Sequence, residues 1–305
     1  MSSIPSKAQA TGSFNSIRIK EGIFKWLMTN MSRLNILLLA GIFITLCIGS
    51  IPAIKASGFH FLYDTTWDPI SDRYGALPFI VGTLITSFLA LLISFPFSIA
   101  LALLLGEFYK KGIVSDIFKN IIELMAGVPS VIYGFGALYF LTPKIAELER
   151  SFGVPAFGVG ILAASIVLAI MVVPYWTSVA REVISLTPND IREAAFSLGA
   201  TRFEVIKHAI IPYTRSGIIA GMLLALGRAL GETMAVTMVI GNTNELPKNI
   251  FSTSNTMASV IANEFTEATT DTYLSALVEV ALVLFILSTV LNIVGKQIIN
   301  RLGTK

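Results

Sequence analysis

Six stretches of the chain stay apolar for about the 20 residues that a helix needs to cross a hydrocarbon core. They run Leu34–Ile54, Leu77–Leu105, Ile121–Leu141, Phe157–Ala180, Ser216–Gly241 and Tyr273–Gly295. Runs so nearly unbroken exclude barrel strands, whose apolar residues alternate over about ten positions. They also exclude a soluble fold, because only 13% of the 305 residues are charged, whereas a soluble domain carries roughly a quarter. The expected fold class is an all-α integral membrane protein with six transmembrane helices. Pro96 lies inside the second and longest run, which can tilt, kink or continue beyond the membrane.

The positive charges orient these spans. Lys7, Arg18, Lys20, Lys25 and Arg33 precede the first, and Lys110, Lys111 and Lys119 follow the second. Arg181, Arg192, Arg202, Lys207 and Arg215 fall between the fourth and fifth, and Lys296, Arg301 and Lys305 follow the last. The intervening loops hold only Lys55, Arg73, Lys144, Arg150 and Lys248. Positive residues stay on the cytoplasmic side, so both termini are expected there, in a multi-pass protein of the plasma (inner) membrane. No cleaved leader is expected, since a long tail precedes span one and that span exceeds a leader's apolar core. In the tail, Ile19, Ile23, Trp26 and Leu27 share one helical face, with Lys20 and Lys25 opposite. That pattern fits a helix lying on the membrane surface, whereas Gly22 favours a mobile tail.

Other chemistries find little support. Cys47 is the only cysteine, so no disulfide framework forms within the chain, and two histidines without a Cys/His cluster give no metal site. No cofactor is expected. A net charge of +3 does not imply nucleic acid as a partner.

The loop between spans four and five is the most informative. Thr187 and Asp190 are spaced as a capping box with Pro188 at the first helical position. Ile191, Ala194, Ala195 and Leu198 then share a face, and Gly199 ends the helix. Thr201 and Glu204 form a second box, opening a short helix expected to end before Pro212. A helix–turn–helix DNA reader has a similar outline, but two spans tether this loop. A purely structural loop leaves the small apolar face of Ala194, Ala195 and Leu198 uncovered, whereas docking into a groove on a partner protein covers it.

Glu193-Ala194-Ala195, three residues, Gly199, nine residues and an apolar pair ending in Pro212 resemble the EAA loop of ABC-importer permeases. Ala209 departs from the usual Ile. The resemblance implies that Glu193, Ala194, Ala195 and Gly199 belong to the coupling helix that sits in a cleft of a separate ATP-binding subunit. It covers spans two to six, the type-1 transmembrane domain. The implied organisation is a cytoplasmic tail (1–33), a first helix with its external loop (34–76), a transport module (77–295) carrying the coupling loop (181–215), and a second tail (296–305).

An ATP-powered transporter needs a phosphate-cradling glycine loop with its lysine. The only candidate, Gly227-Arg-Ala-Leu-Gly231-Glu-Thr, has the wrong spacing, has no Lys and lies within an apolar span. The chain is therefore not expected to be an enzyme.

Arg228 and Glu232 lie four residues apart in span five, so they should share a helix face. Each charge near the bilayer centre costs about 2.5–3.5 kcal/mol. The pair either serves packing specificity between helices or lines the route of a passing anion, with Arg228 attracting it and Glu232 keeping it releasable. Glu279 and Glu123 are weaker candidates. Gly217/Gly221 and Gly227/Gly231 are read as close-packing pairs.

Gly227-Arg-Ala-Leu-Gly-Glu-Thr-Met-Ala-Val236, Gly127-Val-Pro-Ser-Val-Ile-Tyr-Gly134 and Thr256-Met-Ala-Ser-Val-Ile-Ala-Asn-Glu-Phe265 resemble the C-type permeases of phosphate-specific importers. That resemblance implies a pore formed in membrane lipid with a sister permease subunit, two ATP-binding subunits on the coupling helices and an external phosphate-binding protein. It also implies that Arg228 and Glu232 are the pair linked to phosphate passage. A permease for another oxyanion, such as sulfate or molybdate, is the alternative. A self-contained secondary transporter would need internal repeats, and none is evident.

Overall fold

A computed structural model describes the backbone of residues 7–303 and the side chains of residues 21–302. The start of the N-terminal tail (1–6) and the last two residues of the C-terminal tail lie outside the described residues. The chain divides into two units, Met1–Gly49 and Ser50–Lys305. The first unit is helical from Lys7, within helix α1 (Lys7–Ser57). Of the two alternatives for the tail, the helical one matches the backbone, and that helix runs on into span one without interruption.

In the second unit, five helices precede the coupling loop: α2 (Leu77–Leu103), α3 (Ile113–Gly127), α4 (Ser130–Phe140), α5 (Thr142–Ser151) and α6 (Ile161–Ser185). The loop holds α7 (Asn189–Ser197) and α8 (Arg202–Val205). The remainder is α9 (Ile211–Leu230), α10 (Met234–Val239), α11 (Met257–Glu264) and α12 (Asp271–Gly303). A short antiparallel hairpin, β1 (Trp67–Asp68) and β2 (Arg73–Tyr74), precedes α2 with Trp67 opposite Tyr74.

Among the described residues five helical stretches are long and apolar enough to cross a membrane, Glu21–Leu62, Leu77–Phe108, Ile161–Ser185, Arg202–Leu230 and Asp271–Leu302. A sixth crossing exists only if α3 and α4, bent 95° from one another, count as one. Span three is therefore not the single helix expected over Ile121–Leu141. Val128 is extended (φ −68°, ψ 129°) because it precedes Pro129, which also lacks the N–H to continue the ladder. Pro96, by contrast, leaves α2 unbroken, and the helix only widens into a π turn at Leu104–Phe108.

Helix α6 is the pivot of the second unit. It packs between α2 and α9, and Trp176 Nε1 donates to the Ile218 carbonyl at 3.0 Å. Lipid is as apolar as a leucine, so helices associate here through close approach rather than apolar burial. Gly217 and Gly221 supply that approach as expected. A Cβ on Gly217 would strike Val183, and one on Gly221 would lie 3.1 Å from the Trp176 ring. At the end where α2 begins, Trp67 meets Tyr74 and Phe79 edge-on at 5.1 and 4.9 Å. Glu264 closes this end by accepting from Trp67 Nε1 (2.7 Å), Tyr273 Oη (2.7 Å) and Asn244 Nδ2 (2.9 Å). Burial pushes the neighbouring Tyr74 hydroxyl up to about 12.

Candidate functional site

Span five is broken where its charges lie. Helix α9 ends at Leu230, Gly231 to Thr233 are not helical, and α10 starts at Met234. Arg228 occupies the last turn of α9, and Glu232 sits in the break itself. The expectation of two charges on one continuous helix is corrected, although the pair still meets at 3.7 Å. Glu232 is buried, with 8% of its side chain exposed, whereas Arg228 is 35% exposed. The Arg228 guanidinium lies over the Tyr175 ring, 4.7 Å from its centre, where the ring's electron-rich face attracts it. Its Nε has no hydrogen-bond partner.

These groups border an open groove of about 540 Å³, lined also by Leu223, Leu224, Gly227, Gly231 and Asn292. Gly227 has nothing within 4 Å of a built Cβ, and Gly231 meets only the Gly227 carbonyl at 3.7 Å. The reading of this pair as a packing contact is therefore corrected: the two glycines leave space in the groove wall.

The break in span three adjoins the same site. Stopping α3 leaves its last carbonyls without helical partners. Tyr133 Oη donates to Met125 O at 2.8 Å and Tyr175 Oη donates to Ala126 O at 3.2 Å. Tyr175 thus touches one break through its hydroxyl and the other through its ring. Beyond the breaks α4 lies directly on α10, where a Cβ on Gly134 would come within 2.9 Å of Ala235 Cα. The third signature stretch forms α11, capped by Thr256 and Ser259 and tied to α2 by Met257 N donating to Thr83 Oγ1 at 2.9 Å. Glu279 is buried on α12 with Oε2 unpartnered, and Glu123 is exposed on α3.

The loop after α6 folds as two helices about a glycine turn, with two corrections. Pro188 occupies the N-cap rather than the first helical position, so the Thr187–Asp190 box does not form and Thr187 Oγ1 has no partner. The second helix does not end before Pro212. It widens into a π turn at Ile206–Ile210 and runs on as α9, with Pro212 just after the widened turn. Gly199 has φ +83° and ends α7 as expected. The Thr201–Glu204 box is formed, with Thr201 N donating to Glu204 Oε2 at 2.7 Å. The Thr201 backbone N–H and hydroxyl hold the Glu204 carboxyl below the usual range.

Ala195 turns inward against the core, whereas Glu193, Ala194 and Leu198 (89% exposed) face outward. A shallow groove of about 420 Å³ runs beside them between Ala195, Gly199, Glu204 and His208. Sequence reasoning missed Tyr133, Tyr175 and Arg192. The tyrosines show no motif-independent signal. Arg192 was counted only as a cytoplasmic charge, yet it is buried and paired with Glu107 at 3.0 Å.

Comparison with known proteins places this arrangement. Residues 98–304 match the family "Binding-protein-dependent transport system inner membrane component". The phosphate transport system permease protein PstC of Haemophilus influenzae is 41% identical over 297 residues, covering 92% of this chain and 94% of that protein. The probable PstC of Methanocaldococcus jannaschii is 35% identical over 269 residues, covering 83% and 85%. Among solved structures, a bacterial alginate ABC transporter in complex with an alginate pentasaccharide-bound periplasmic protein aligns with a TM-score of 0.64 at 18% identity, covering 94% of this chain and 98% of that one. An inward-facing MetNI methionine ABC transporter aligns with a TM-score of 0.54 at 17% identity, covering 72% and 93%. These two share the fold. The chain belongs to the binding-protein-dependent transport system inner membrane components, on the branch of the PstC permease proteins.

Proposed function

We propose that the chain is a pore-forming permease subunit of an ABC importer that carries inorganic phosphate across the inner membrane on ATP hydrolysed by a separate subunit. The observation that carries this reading is the charged break in span five: a part-exposed arginine and a buried glutamate border an open groove beside a second helix break. Irregular backbone at membrane depth is tolerated where it lines a cavity. The name borne by the relatives supplies phosphate as the anion.

In this reading Arg228 draws the anion and Glu232 limits how tightly it is held, since conduction needs binding weak enough for release. Glu193, Ala194 and Gly199 form the face that meets the ATP-binding subunit, and Ala195, turned inward, seats their helix on the core. Closure of two such subunits moves α7, rocks the helices beyond α2 and opens the route outward; hydrolysis reverses it. A sister permease completes the pore, and an external phosphate-binding protein delivers the anion. Both termini lie in the cytoplasm in this reading, which the lysine and arginine distribution supports. Residues 77–295 act as the transport module, with 1–33 and 296–305 as cytoplasmic tails and 34–76 as an additional anchor and external loop.

Reconstitution separates this reading from a self-contained transporter. The chain alone in proteoliposomes is expected to accumulate no labelled phosphate, and adding the sister permease, the ATP-binding subunits and the binding protein is expected to restore uptake. Accumulation by the chain alone would overturn the reading.

A further inference from the structure

Arg192 is buried in a loop where every other arginine and lysine has solvent access. Its Nε donates to Glu107 Oε2 at 3.0 Å, and its Nη2 lies 3.0 Å from the same oxygen. Nη2 also donates to the Ile184 carbonyl at 3.2 Å. Nη1 donates to the Thr187 carbonyl and, at 3.3 Å, to Asn189 Oδ1. One guanidinium thereby joins three elements: the π turn that ends α2, the last turn of α6 and the first turn of α7. Lys110, the other cation facing Glu107, is 3.5 Å from the same carboxylate and more exposed.

The backbone is shaped to bring these ends together. A Cβ on Gly106 would lie 2.8 Å from Ile184 Cγ2 and 3.1 Å from the Arg181 carbonyl, so only glycine lets the end of α2 rest on α6. The next residue is Glu107, delivered to the guanidinium by that approach. A planar fork of donors suits such a joint, because its hydrogen bonds fix direction as well as distance. The outward face of α7 carries no comparable attachment: Glu193, Ala194 and Leu198 are exposed.

We infer that the Arg192–Glu107 pair is the joint through which displacement of α7 moves α2 and α6 together, so that Arg192 and Glu107 are positioning residues for energy coupling. The inference rests on the permease reading above. Without the pair, α7 would remain linked to α6 by three residues of chain and to the core through Ala195, but its direct link to the end of α2 would be lost, and α2 would follow it only through α6.

The test is the amount of phosphate moved per ATP hydrolysed by the complete reconstituted complex carrying R192Q, R192K or E107Q. R192Q is expected to lower that ratio by about 3- to 30-fold, the range in which a lost link changes coupling, while the complex assembles and hydrolyses ATP. R192K keeps the charge but loses the fork, and E107Q keeps an acceptor but loses the charge, so both should fall between wild type and R192Q. If R192Q fails to assemble, R192K and E107Q decide. An unchanged ratio in both would overturn the joint while wild-type uptake stands. A wild-type complex that moves no phosphate would instead overturn the permease reading, and the joint with it.

Discussion

Replacing Arg228 with Gln is expected to abolish phosphate uptake while the complex still assembles. Two effects of this change must be separated. The first is local: Glu232 is 8% exposed and has Arg228 as its ion-pair partner, and stripping one member from a fully buried pair costs about 3–5 kcal/mol, a ceiling here because Arg228 is 35% exposed and screened by solvent. The second is functional: hydrogen bonds to a charged group contribute about 1.5–3 kcal/mol each, so losing two from the passing anion slows transport by on the order of 100-fold or more. The double variant R228Q/E232Q distinguishes them. It removes both charges, and with them the cost of an unpaired carboxylate. A pair kept for packing predicts that the double variant regains uptake. A pair that handles the anion predicts that it assembles well and transports no better than R228Q. Uptake is the measurement, with co-purification of the subunits as the check on assembly.

Gly199 carries the second large expected effect. Its φ of +83° strains any side chain, at about 1–2 kcal/mol. That is a small part of the ~5–15 kcal/mol that holds a domain together. Among the described residues nothing lies within 4 Å of a Cβ built there, so a side chain starts out into open space. Gly199→Trp is therefore expected to fold and insert. If the open space is where the ATP-binding subunit sits, the indole fills it, and uptake fails while the strain alone, reported by Gly199→Ala, costs little. Gly199→Asn should be milder than either, since Asn adopts the left-handed region more readily. Normal uptake by Gly199→Trp would remove this residue from the coupling face.

The helical class and the positions of spans one, two, four and six were legible because burial in lipid demands long apolar runs, and those runs are almost uninterrupted. The same property hid the breaks. Gly231-Glu-Thr sits within an apolar run and contains no proline, so hydropathy carried the helix through it to Gly241. Pro129 was a visible breaker, yet apolar residues on both sides suggested one span, and the 95° bend follows from the extended Val128 before it. In the loop, the Thr201 box formed because its partner is three residues away in a helix that starts where expected. The Thr187 box failed because Pro188 took the capping position.

The site was partly legible for the same reason. Arg228 and Glu232 stood out because charges are rare in membrane spans, whereas their environment did not. Tyr175 reaches Ala126 across 49 residues, and Arg192 reaches Glu107 across 85. No spacing rule within a helix spans such distances. Gly227 and Gly231 have the spacing of a packing pair, and the course of the neighbouring helices makes them a groove wall instead.

The most direct test of the account is uptake of labelled phosphate by the complete reconstituted complex, energised by ATP and challenged with an excess of unlabelled phosphate, sulfate or molybdate. The account predicts uptake that requires ATP and is suppressed by unlabelled phosphate but not by the other two. Uptake without ATP, or equal suppression by sulfate or molybdate, would contradict it.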